Sequence, residues 1–127
     1  MPRPDRIHYH RRSRVLEVQF GAERFELPAE LLRVYSPSAE VRGHSPEERR
    51  LQTGKKHVQI TGIEAVGNYA IRLTFDDGHD SGIYAWEFLH DLGAGQDRYW
   101  QDYLTELKAA NASRLPAIPV GQWNPRA

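Results

Sequence analysis

The chain contains no cysteine. That absence excludes disulfides, thiolate nucleophiles, and zinc or iron–sulfur centres held by thiolates of this chain. No apolar run approaches the ~20 residues that cross a bilayer, and no cationic start leads into the apolar core of a secretion signal. The expectation is a soluble, cytoplasmic protein with no membrane partner. P-loop, G-x-G-x-x-G and G-x-S-x-G patterns are missing too, so neither nucleotide binding nor serine hydrolysis has a motif behind it. None of the histidines at 8, 10, 44, 57, 79 and 90 has a carboxylate two residues later, so the His-x-Asp/Glu half of an oxygenase iron triad is lacking. Nor is there an excess of either charge: 17 Lys and Arg balance 17 Asp and Glu. A neutral total argues against nucleic acid as partner.

What is present is unevenly placed. Arg3, Arg6, Arg11, Arg12 and Arg14 face only Asp5 in the first fourteen residues, whereas residues 76–106 carry Asp76, Asp77, Asp80, Glu87, Asp91, Asp97, Asp102 and Glu106 against Arg98 alone. Such a dipolar surface can orient a protein partner. At 127 residues the chain suits one domain, able to bury roughly two thirds of its unfolded surface.

The hydrophobic pattern points to an α+β fold, a small antiparallel or mixed sheet with helices packed on one side. "RIHYH" and "RVLEVQF" alternate with period two and are joined by a short turn, and Gly21-Ala22 turns into "ERFEL". Pro28 suits the start of a short helix over "PAELLRVY". Residues 36–56 have little periodicity and read as a long loop with one helical turn near 46–50; a loop of that length is functional or mobile. A second hairpin turns near Gly67-Asn68, with Tyr69, Ile71, Leu73 and Phe75 on one face. Asp77-Gly78 is a turn signal, after which "HDSGIYAW" returns as a strand. A short helix over "AWEFLHDL" closes at Gly93, and Asp97 caps the main helix. On that helix Tyr103, Leu104 and Leu107 cover the sheet faces of Leu16, Val18, Phe20, Ile71, Leu73 and Phe75. The domain is expected to span residues 1–112. A Pro-rich tail over 113–127 should be flexible, as should residues 43–56.

His79 follows the Asp77-Gly78 turn and admits three readings: a turn residue bonded to nearby backbone, a metal ligand with partners in the long loop, or an acid–base group beside carboxylates. His8 and His10 share a strand face but lack an evident third ligand.

Three stretches, "RVLEVQFGAERFEL", "LPAELLRVYSPSAEVRGH" and "ITGIEAVGNYAIRLTFDDGHDSGIYAWEFL", together resemble the small N-terminal domain of gamma-butyrobetaine and trimethyllysine hydroxylases, which in bacteria also stands alone as the DUF971 family. The resemblance covers about residues 5–110. It implies a small mixed sheet with flanking helices. In the hydroxylases this domain carries a structural zinc held by three cysteines and a histidine. Aligning on Leu32-Arg33 places Ser36, Ser38 and Val41 at the cysteine positions and His79 at the histidine. One ligand of four is kept, so the resemblance implies vestigial zinc positions and no metal or other cofactor. His79 is then a turn residue whose replacement by asparagine costs about 1 kcal/mol or less. The hydroxylases' catalytic jelly-roll has no room in 127 residues, so no oxygenase activity is expected. The same domain is similar to one fused to P-loop iron–sulfur carriers, and recurrence beside different catalytic partners fits an accessory module.

These readings give a non-enzymatic domain, monomer or homodimer, that binds a protein partner through the 36–56 loop, with Arg33, Tyr35, Arg42 and His44 on the candidate surface. The alternative is a metal-binding accessory protein, for iron or zinc, linked to iron–sulfur or oxygenase systems.

Overall fold

Two three-stranded antiparallel sheets and four α-helices make up the α+β fold in the computed structural model, which describes residues 1–43 and 45–117. Strands β1 (Arg6–His10), β2 (Val15–Phe20) and β3 (Glu23–Pro28) form the first sheet as a meander. Helix α1 (Ala29–Val34) follows directly, with Pro28 as its N-cap, where a missing N–H costs nothing. Helix α2 (Ala39–Arg42) and a 3₁₀ turn (Pro46–Glu48) lead to the second sheet: β4 (Ile60–Val66), β5 (Ala70–Phe75) and β6 (Ile83–Ala85). Helices α3 (Trp86–Ala94) and α4 (Gln96–Ala109) complete the described chain.

The strands sit where period-two alternation placed them. The single sheet expected from sequence is instead two, because β1–β3 and β4–β6 each pair among themselves. Leu16, Val18 and Leu27 from the first sheet meet Ile71, Leu73, Phe75 and Tyr84 from the second, with Leu31, Leu32, Leu89 and Leu92 from α1 and α3. Helix α4 does not cover the sheets as expected. Its Tyr103 and Leu107 form a second cluster with Val34 of α1, and Tyr35 and Trp100 bridge the two clusters. Phe20 and Leu104 are half-buried, and Tyr69 lies in the turn before β5 at 56% exposure. Burying the period-two face of β5 and the helical faces around it supplies most of the driving force.

Three other expectations change. Helix α3 runs past Gly93 to Ala94, and Gly93 packs against the Phe25 ring where a side chain would collide. Gly95, not Asp97, is the N-cap of α4, and Asp97 sits in its first turn, where a carboxylate favours the helix dipole. Residues 113–117 are not a free tail. The Gly54 and Lys56 amides donate to the Ser113 and Arg114 carbonyls at 3.0 Å each. Arg114 donates two bonds to Glu30, at 2.8 and 2.7 Å, and its guanidinium lies 4.8 Å over the Trp100 ring. The rest of the expected tail, residues 118–127, lies outside the described residues.

Candidate functional site

The sharp end of the β5 hairpin builds the site. Gly78 has φ +88°, a conformation that glycine adopts without the penalty a Cβ would bring, and its amide donates to the Phe75 carbonyl at 3.0 Å. Asp77 Oδ1 accepts the His79 amide at 3.1 Å, a local turn bond that aspartate two residues back can make. The Phe75 amide donates to the His79 carbonyl at 2.9 Å. Held at both backbone groups, His79 turns inward and is only 7% exposed.

Its imidazole reaches across the molecule. His79 Nε2 lies 2.7 Å from Ser36 Oγ and 3.4 Å from Ser38 Oγ. Nδ1 lies 3.5 Å from Glu40 Oε2, whose side chain is largely exposed. Ser36, Ser38 and Val41 are buried, so all four aligned positions lie inside the molecule, and both serine hydroxyls meet the histidine. Around them Gly82 is required, since a Cβ there would stand 2.5 Å from Ser36 Oγ. Tyr84, fully buried, donates its hydroxyl to the Leu32 carbonyl at 2.5 Å, and burial pushes its pKa well up.

Electrostatics keep the imidazole neutral. Burial disfavours its charged form and Arg33 repels it, which together outweigh Glu40 and Asp77 and lower its pKa below 6.5. A neutral imidazole and a hydroxyl can exchange donor and acceptor roles at 2.7 Å. The expected turn role is thus only half of what His79 does: its backbone shapes the hairpin, while its ring pins the loop 43 residues away.

The candidate surface residues disperse. Arg33 is buried at 7% exposure, donating to Asp77 Oδ2 at 2.8 Å and Gln52 Oε1 at 3.1 Å, so it belongs to the interior and not to a binding surface. The reason is charge: Asp77 also takes Lys55 at 2.6 Å, and a guanidinium can be buried when its donors are matched. Partial burial would raise the Asp77 carboxyl, but bonds from Lys55, the His79 amide and Arg33 hold its pKa at about 2. Tyr35 is half-buried and donates to the Tyr99 carbonyl at 2.7 Å, with Arg49 4.4 Å over its ring; burial pushes its pKa to about 12. Arg42 is exposed, 4.9 Å over the Phe88 ring. His44 lies outside the described residues.

Sequence reasoning missed Glu40, Gln52, Lys55 and Gly82 as parts of this network. Of these contacts only the Asp77-to-His79 spacing carried a local signal, that of an aspartate-capped turn.

The donor set decides what the site can hold. One imidazole, two neutral hydroxyls and a hydrocarbon do not fit a structural zinc, which takes four thiolate or imidazole ligands. Among the described residues no group of three or more His, Asp or Glu is placed to hold a metal ion. No helix among them is long and apolar enough to cross a membrane.

Comparison with known proteins agrees with the resemblance. Two chains with NMR solution structures match closely. One is 46% identical with a TM-score of 0.82, over 97% of this chain and 98% of that one. The other is 48% identical with a TM-score of 0.79, over 98% and 93%. A third is a 1.93 Å crystal structure of a DUF971-family protein of unknown function from Acidithiobacillus ferrooxidans ATCC 23270. It is 38% identical with a TM-score of 0.61, over 72% of this chain and 93% of that one. No curated protein matches. The family model for the N-terminal domain of gamma-butyrobetaine hydroxylase-like proteins matches residues 7–90, and the chain belongs to that family.

Proposed function

We propose that this chain is a non-catalytic accessory domain that binds a protein partner through the face of the 36–56 segment around α2. The observation that supports it most is the 2.7 Å bond between Ser36 Oγ and His79 Nε2 in a buried site. At the positions that the resemblance aligns with zinc ligands, this chain has a neutral polar pin. The pin fixes the start of the segment against the β5 hairpin, and a rigid backbone presents its exposed side chains at little entropic cost on binding. Around α2 the exposed side chains include Glu40 and Arg42, the latter stacked on Phe88. The surface therefore centres on Arg42 and Phe88, without Arg33.

A photo-crosslinking residue placed at Arg42, expressed in the native cell, tests this. The expected result is a discrete protein adduct that is missing when the crosslinker is placed at Glu64, on the outer strand of the second sheet. Equal labelling at both positions, or none at either, would overturn the assignment of this face.

A metal-binding accessory role for iron or zinc is the second reading, and the convergence of Ser36 and Ser38 on Nε2 is what favours it. Neutral hydroxyls are weak ligands, and Val41 offers none.

A further inference from the structure

Among the described residues nine Arg and Lys side chains have no carboxylate partner, five of them (Arg3, Arg42, Arg50, Arg98 and Lys108) spread over the chain and four gathered at one place. Arg6 and Arg24 share Glu17, Arg33 and Lys55 share Asp77, Arg49 meets Glu106, Arg72 meets Glu64 and Arg114 meets Glu30. Arg11, Arg12, Arg14 and Lys56 pair with no carboxylate among the described residues.

A closed circuit of contacts brings these four to one rim. Gln59 Nε2 donates to the Arg11 carbonyl at 3.4 Å, tying the β1–β2 turn to the strand that follows Lys56. The Ala29 amide donates to the Arg14 carbonyl at 2.9 Å, tying the other end of the turn to α1. Glu30, next in α1, holds Arg114, whose carbonyl accepts the Lys56 amide at 3.0 Å. Two carboxylates lie on this circuit. Glu30 is buried and already bound twice by Arg114, and Asp76 accepts the Gln59 amide at 3.0 Å. Counting Arg114, five cations stand against two anions, with His57 exposed beside them.

The turn itself is built at a cost. Arg14 has φ +57°, where glycine or asparagine is the cheaper residue, and its Nε is shut from solvent without a hydrogen-bond partner.

We infer that the rim formed by Arg11, Arg12, Arg14 and Lys56 is a docking surface for an acidic segment of a partner protein. The inference rests on the reading of the chain as an interaction domain and supplies the partner's chemistry. A protein segment fits better than a nucleic acid. The chain has no net charge, and its own carboxylates along 76–106 would repel an extended polyanion that ran beyond the rim.

The test is fluorescence anisotropy of the full chain against a labelled peptide of about twelve alternating Glu and Ser residues, at about 20 mM and about 200 mM salt. Saturable binding is expected at low salt, weakened about tenfold or more at the higher salt. The R12E/K56E variant should bind about tenfold more weakly still. Both residues are exposed and unpaired, so circular dichroism should match the wild type.

No saturable binding at low salt, or equal binding by R12E/K56E, would overturn the inference. Tighter binding of an oligothymidylate of equal length would overturn the partner class. If the Arg42 crosslinker captures a partner while the acidic peptide fails to bind, the interaction reading survives and this inference alone falls.

Discussion

Removing the His79 ring should expose how much the fold depends on it. In His79→Ala the Ser36 hydroxyl, fully buried, loses its 2.7 Å partner and keeps the Tyr84 hydroxyl nearby and a long contact from the Ser38 amide at 3.4 Å. A buried hydroxyl left without its partner costs about 1–3 kcal/mol. The emptied volume beside the Phe75 ring, whose centroid lies 6.2 Å away, adds a cavity term. The Glu40 contact is exposed and adds little. A total of about 2–4 kcal/mol follows, or roughly 8–15 °C in Tm for a domain of this size. Urea unfolding of wild type, His79→Ala, Ser36→Ala and the double variant would measure it. If the two side chains act as one unit, the double variant should lose about 1 kcal/mol less than the sum of the singles. A His79→Ala protein within about 0.5 kcal/mol of wild type, or strict additivity, would refute the pin. The result would then match the value of about 1 kcal/mol or less that a simple turn residue implies.

Three further outcomes are expected. Because the folded-state pKa of His79 lies below 6.5, the unfolded chain takes up a proton first as pH falls, so stability declines from about pH 6.5 downward. That decline should be missing in His79→Ala. A further loss should run from about pH 4.5 to about 2 as Glu17 and Asp77, both held at about 2, are protonated; urea midpoints across pH would show both steps. Leu73→Ala, at a fully buried core position, should cost about 2–5 kcal/mol by denaturant unfolding. Arg114→Ala should leave the buried Glu30 carboxylate unpaired, cost about 1–3 kcal/mol, and speed amide exchange at Gly54 and Lys56; unchanged exchange would mean that residues 113–117 dock without it.

Much of this fold was legible because its signals are local. Alternation in "RVLEVQF" and "AIRLTF" and the glycines at 67 and 78 mark strands and turns within a few residues. What the sequence hid was longer-ranged. The division into two sheets depends on which strands pair, and no local pattern states that. Helix α2, at four residues, is too short to show a helical period. Arg33 looks like a surface residue until Asp77, 44 positions away, is seen to hold it. His79 looks exposed beside a polar turn, yet its ring finds its partners in Ser36 and Ser38. The alignment to a zinc-binding domain put those residues in one group, and the structure supplied what the alignment lacked, the hydrogen bond between His79 and Ser36. Residues 113–117 read as tail because prolines and polar residues surround them, but Arg114 has both a carboxylate and an indole face to dock on.

The metal content of the protein purified from its native cell, measured by elemental analysis before and after chelation with Tm recorded alongside, tests the account most directly. A site of one imidazole and two neutral hydroxyls predicts zinc and iron far below one per chain and a Tm that chelation leaves unchanged. Either metal near one per chain, removed by chelator together with a fall in Tm, would contradict the hydrogen-bonded pin and move the metal-binding reading to first place.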